Sequence, residues 1–155
     1  MFEECRLEGN FDLTSGRQSK VFYDFDLLKP IEAAEYVEQL LKQVPEEVFQ
    51  EVSFVVSPAV GGIVPGFLIA FAKKLPFVII DKGGNTRGPQ FESGSYLIVD
   101  DVVTSFQAAR RVVNTLPNTK CAGLATYIFR GSYTDLEKNK DIPIFYLSRK
   151  EQETE

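Results

Sequence analysis

Apolar residues fall into two patterns along this chain, and the two alternate. Ile31, Ala34, Val37, Leu40 and Leu41 recur at helical spacing after Pro30 and stop at Pro45, which predicts an amphipathic helix. VSFVVS, from Val52, is instead a short continuous apolar run rich in β-branched residues, the pattern of a strand covered on both faces. A turn over Pro58 to Gly62 leads into Ile63 to Lys74, apolar enough to read as a buried helix, with Pro65 tolerated in its first turn and Pro76 beyond its end. Phe77 to Ile80 is a second buried strand, and Tyr96 to Val99 a third that runs into Asp100-Asp101. Phe106, Ala109, Val112, Val113 and Leu116 predict a helix ending before Pro117, and Cys121 to Phe129 and Ile144 to Leu147 add two strands. Strands alternating with single helices need crossover connections, so the expected fold class is α/β, a mainly parallel sheet flanked by helices.

Three segments break the alternation. FDLTSGRQSKVFYD, Phe11 to Asp24, is polar around Ser15-Gly16 and ends on the aromatic pair Phe22-Tyr23; it reads as an N-terminal arm ending in a short strand. DKGGNTRGPQFESG, residues 81–94, has four glycines, one proline and no periodicity, which predicts a long flexible loop of the kind that carries function. KEQETE, residues 150–155, is charged and reads as a frayed end. With no repeat or linker, residues 1–155 are expected to form one domain, with residues 1–30 as its arm or hood.

Composition narrows the function. A chain of 155 residues buries enough surface, roughly 68–70% of the unfolded chain's, to need no disulfide or metal staple. Cys5 and Cys121 form no CxxC pair, which leaves neither a zinc set nor a disulfide framework and points to a reducing compartment. Histidine is absent, so imidazole bases, His triads and His metal sites are excluded. The formal charge of −5 argues against broad nucleic-acid binding and leaves room for a local pocket that takes a small polyanion. No apolar run reaches the ~20 residues of a membrane span, and MFEECRLEGNF lacks signal-peptide character, so a cytoplasmic protein without membrane contact is expected.

Ligands of parallel sheets collect at the carboxyl ends of the strands. Three segments converge there: SPAVGG, the glycine-rich loop, and DDVVTSFQAA. In the last, a strand delivers two carboxylates and Thr104-Ser105 precede a helix, whose unpaired N–H groups can cradle a phosphate while the acids hold sugar hydroxyls or Mg²⁺-bound water. The plain alternative is a strand end followed by a Ser105 helix cap. In SPAVGG, Gly61 and Gly62 let backbone N–H groups approach a diphosphate, although a tight strand-to-helix turn has the same need for glycine. Arg130, at a strand end, either forks onto a planar base or is a solvated surface arginine.

YLIVDDVVTS resembles the phosphoribosyl pyrophosphate (PRPP) motif of the type I phosphoribosyltransferases, and other segments resemble the orotate phosphoribosyltransferase branch. FDLTSGRQSKVFYD is similar to that branch's N-terminal signature, SPAVGGIVPG to its pyrophosphate loop, and YIFRGS stands where its base-contacting strand end lies; the four occur in family order over residues 11 to 132. The resemblance implies transfer of phosphoribose from PRPP to orotate, giving orotidine 5′-monophosphate and pyrophosphate, with Mg²⁺ carried by PRPP rather than by dedicated protein ligands. Asp100 and Asp101 would hold the ribose hydroxyls, and Thr104, Ser105, Phe106, Gln107 and Ala108 the 5′-phosphate. Ala59, Val60, Gly61 and Gly62 would meet the pyrophosphate, helped by Lys82 and Arg87 of a closing loop, while Phe22, Tyr23 and Arg130 would hold the base. Members often keep a non-proline cis peptide in the pyrophosphate loop, which makes Ala59-Val60 its candidate here, and they commonly form homodimers.

The chain also departs from the family pattern. Phe106 replaces the glycine of the phosphate turn, Phe129 replaces the acid before the base-contacting arginine, and Asp81 stands where a basic residue is common. Lys82 and Arg87 are the only cations of the short loop. These departures leave two alternatives open: a PRPP- or nucleotide-binding protein without transferase activity, and a transferase for another base.

Overall fold

The structure is a computed structural model that describes residues 1–13 and 15–150; Thr14, inside the N-terminal signature, and residues 151–155 of the expected frayed end lie outside the described residues. After a 3₁₀ turn at Glu3–Cys5, strands β1 (Arg6–Asp12) and β2 (Gln18–Tyr23) pair antiparallel as a separate hairpin, the hood. The core follows as α1 (Pro30–Leu41), α2 (Glu46–Glu51), β3 (Phe54–Pro58), α3 (Ile63–Lys73), β4 (Phe77–Ile80), β5 (Thr86–Arg87), β6 (Ser95–Val103), α4 (Gln107–Thr115), β7 (Lys120–Phe129), α5 (Tyr133–Lys138) and β8 (Ile144–Arg149). Its six strands run in the order β5-β4-β3-β6-β7-β8, all parallel except β5. The α/β class and its parallel sheet are as expected.

Alternation along the central strands builds two cores, because successive side chains leave opposite faces of a sheet. Val55, Leu97 and Val99 meet Val37, Leu40 and Ile69 of α1 and α3 on one face, while Phe54, Val56 and Ile98 meet Phe106, Ala109 and Val112 around α4 on the other. The sheet is therefore covered on both sides, and β6, at its middle, emerges from the core only where Asp100 begins.

Four expectations need correction. Residues 81–94 are not a structureless loop: Thr86 and Arg87 turn back to pair with Ile80 and Ile79, and Phe91 stacks on Phe54 at 4.1 Å between ring centroids. Asp81 organises the tip by accepting bonds from the Gly83 and Asn85 N–H groups, each at 2.9 Å. Helix α3 is not buried all round, since Val64, Phe67 and Phe71 are 53%, 57% and 77% exposed. In α1, Ile31 faces solvent at 65% exposure and Ala33 takes the inward position. Finally, β1, α2 and α5 have no counterpart in the hydrophobic pattern: β1 is almost wholly exposed, and the two helices are single short turns of mixed residues started by Pro45 and by a Ser132–Asp135 capping box.

Candidate active site

The carboxyl ends of β3 and β6, the N-terminus of α4 and the underside of the hood enclose a cavity of about 300 Å³. Its walls include Asp100, Asp101, Thr104, Ser105, Phe106, Gln107 and Ala108 from the β6–α4 connection, Ala59, Val60 and Gly61 from the β3–α3 turn, Lys82 from the hairpin tip, and Phe22, Tyr23 and Arg130 at the hood end. Residues expected at one site from four separate segments thus meet in one place. Gly62 and Arg87 are the exceptions. Arg87 pairs with Ile79 on the exposed edge strand, away from the cavity wall. Gly62 is needed by the backbone instead: a Cβ there would lie 2.6 Å from the Val99 carbonyl oxygen, so only glycine lets the turn pass behind β6.

Asp100 and Asp101 are half-buried at the end of the central strand, and their order is set by the backbone. Asp100 accepts a bond from the Asp101 N–H at 2.9 Å, Asp101 accepts one from the Val102 N–H at 2.8 Å, and the Thr126 hydroxyl donates to the Asp101 carbonyl at 2.9 Å. The Asp101 carboxylate stands against Gly61, where a Cβ would come within 2.6 Å of its carboxyl carbon. Burial, and then the charge of Asp101, push the Asp100 carboxyl well above the usual carboxylate range; burial raises Asp101 as well. Two carboxylates held together in a poorly solvated corner favour a ligand that donates hydroxyl hydrogens or brings positive charge. The Ala59–Val60 peptide bond beside them is cis, as expected of this turn.

The turn after β6 ends on Phe106, at φ 67°, as the N-cap of α4. No side chain caps this helix, which overturns the reading of Ser105 as a cap and leaves the first N–H groups of α4 facing the cavity. Phe106 holds its left-handed conformation with its ring in the core, 2% exposed and edge-on to Phe129 at 6.0 Å. Burial of the ring fixes the conformation that glycine would reach freely.

Arg130 is not a surface arginine. It is 2% exposed, donates to the Val21 carbonyl and the Ser19 hydroxyl at 2.9 Å each, and lies 5.4 Å from the centre of the Tyr23 ring. Its terminal nitrogens therefore tie the hood to β7 while the residue lines the cavity. A second tie joins the same hairpin to α5: Arg17 forks onto Asp135 at 2.9 and 2.8 Å, and that pairing pulls the Asp135 carboxyl well below its ordinary range. Cavity residues that sequence reasoning missed include Asp24, Asp26 and Arg111. The two acids adjoin the expected Phe22-Tyr23 pair, and Arg111 follows the phosphate turn at helical spacing, so proximity in sequence was a usable signal for all three.

No protein-family model matches the chain. It is 32% identical over 119 residues to a Caulobacter vibrioides protein named orotate phosphoribosyltransferase, a match covering 70% of this chain and 59% of that protein. The chain thus spans about three fifths of the length of the curated relatives it matches. Among solved structures, the orotate phosphoribosyltransferase of Aeropyrum pernix superposes with a TM-score of 0.80 at 20% identity, over 94% of this chain and 88% of that one. The adenine phosphoribosyltransferase of Rhodothermus marinus does so with a TM-score of 0.70 at 19% identity, over 96% of each chain. The architecture is therefore shared by proteins named for different bases, whereas the sequence relatives carry the orotate name.

Proposed function

We propose that the chain is a type I phosphoribosyltransferase, related to the proteins named orotate phosphoribosyltransferase that it resembles, and that it transfers phosphoribose from PRPP to orotate. The observation that carries this reading is the paired Asp100-Asp101 set between a glycine turn and an uncapped helix N-terminus in one cavity. Ribose hydroxyls donate to the two carboxylates, the α4 N-terminus receives the 5′-phosphate, and Gly61 with Lys82 faces the diphosphate. Phe22 and Tyr23 hold the base between hood and sheet. In the reaction the anomeric C–O bond breaks, the electron pair leaves with pyrophosphate, and orotate N1 bonds to the anomeric carbon as its proton passes to solvent or pyrophosphate. Fixed N–H groups and cations offset the charge growing on the leaving group, and the hood limits water access.

Mg²⁺ fits this site as a passenger of PRPP. The crowded Asp100-Asp101 pair, whose carboxyls are raised by burial and that of Asp100 also by the charge of Asp101, would favour the positive charge such an ion brings. When bound, the ion would neutralise charge on the diphosphate.

A homodimer fits the exposed apolar row of Val60, Val64, Phe67 and Phe71, because Val60 also lines the cavity and a second copy would cover site and row together. A cytoplasmic setting agrees with free cysteines at Cys5 and Cys121 and with the absence, among the described residues, of any helix long and apolar enough to cross a membrane. One observation favours a second reading, a transferase for a base without a carboxylate: Asp24 and Asp26 stand at the hood end, where Arg130 is engaged by Ser19 and Val21. Orotate absorbance followed with PRPP and Mg²⁺, against parallel reactions with uracil and adenine, decides between them. Turnover of orotate alone supports the first reading, and turnover of a neutral base alone replaces it with the second.

A further inference from the structure

We propose that Arg111 clamps the 5′-phosphate of the ribosyl donor, an inference that rests on the reading of the cavity as a PRPP site and deepens it. Two adjacent arginines on α4 are used differently. Arg110 is committed to the outer surface, where it donates to Asn139 at 2.8 Å and pairs with Asp141. Arg111 is half-buried and lines the cavity, and its guanidinium has no hydrogen bond or ion pair among the described residues. Its charge is felt by Asp100 across that space.

Its place on the helix decides which part of the donor it reaches. Arg111 lies about one turn beyond the start of α4, and helical side chains lean back toward the N-terminus, over the turn that precedes them. That turn is Thr104 to Ala108, where α4 begins without a side-chain cap. A phosphomonoester seated there meets backbone N–H groups from one side and the guanidinium fork from the other. The diphosphate end, at Gly61 and Lys82, belongs to other elements.

Charge arithmetic supports the same assignment. The walls carry the carboxylates of Asp24, Asp26, Asp100 and Asp101 against the cations Lys82, Arg111 and Arg130, and Arg130 is engaged with the hood. A dianionic phosphate entering a cavity with four acidic side chains on its walls needs a counter-charge at its own end, and Arg111 is the cation on that helix that faces the cavity.

The test is calorimetric titration of the full chain and its Arg111→Ala, Arg111→Gln and Arg111→Lys variants with ribose 5-phosphate and, separately, with magnesium pyrophosphate, alongside thermal melts. Loss of a charge-assisted pair should weaken ribose 5-phosphate binding by about 10–100-fold in the Ala and Gln variants, with partial recovery in the Lys variant. Pyrophosphate binding and melting temperature should stay near the parent's. Unchanged ribose 5-phosphate affinity, or equal losses for both ligands, overturns the clamp while leaving the cavity reading intact. Failure of the parent protein to bind either ligand defeats the cavity reading itself.

Discussion

The two ends of the cavity are built in opposite ways. The end proposed for the sugar phosphate grows out of the core: β6 is the central strand, Phe106 is buried, and the carboxylates are set by bonds to their own backbone. The end proposed for the base is a two-stranded hairpin outside the main sheet, tied by Arg130 at the end of β7 and by Arg17 to α5. A phosphate and a ribose present the same groups whatever the acceptor, so their end gains from rigidity. An acceptor base differs between relatives, and a hairpin held by a few side chains can change without disturbing the sheet.

If that contrast holds, damage to the two ends should read differently. Phe106→Gly removes a fully packed ring from the rigid end, and although glycine accepts the positive φ, stability should fall by about 3 kcal/mol. At this chain length that lowers the melting temperature by about 6–12 °C. An unchanged melt with tighter PRPP binding would mean that the ring does not hold the turn.

Asp135→Asn cuts the tie from α5 to the hood and weakens the cap at Ser132, for an expected loss of about 1–2 kcal/mol. The loss should be local. Amide exchange should accelerate in β1 and β2 and stay unchanged in β3, β6 and β7, and equal acceleration everywhere would erase the distinction between the ends.

Acid gives the smallest and most graded version of the same separation. The folded Asp135 carboxyl lies below its unfolded value, so its contribution is complete above about pH 5, begins to fade below that and is lost as pH falls through the folded value. Asp100 and Asp101 have the opposite sign: their folded values are raised, so protonation favours the folded sugar-phosphate end as pH falls. Hydrogen exchange between pH 6 and about pH 3.5 should therefore show the hood loosening before the sheet.

The same asymmetry governs how much could be read in the sequence. Strands β3, β4, β6, β7 and β8 are apolar runs, helices α1 and α4 periodic ones and α3 an apolar stretch between prolines, because burial on a two-faced sheet leaves a pattern in the residues. Asp100, Asp101 and the following turn were legible for the same reason, as polar residues that interrupt such a run. Strand β1 was not, since an exposed hairpin strand has no apolar alternation to betray it. Arg130 shows the remaining limit: its place at a strand end was visible, but its bonds to Ser19 and Val21 span more than 100 residues. The edge pairing of Thr86 and Arg87 was hidden by glycines that looked like disorder.

The central claim, that the Asp100-Asp101 corner takes the ribose of PRPP, is tested most directly by titrating PRPP with Mg²⁺ into the parent protein and the Asp100→Asn, Asp101→Asn double variant. Removing two buried like charges should leave the fold intact, with a melting temperature equal to the parent's or about 2–4 °C higher. PRPP affinity should fall by about 100-fold or more, as charged acceptors are replaced by neutral ones. A double variant that melts normally and binds PRPP as tightly as the parent would contradict the account.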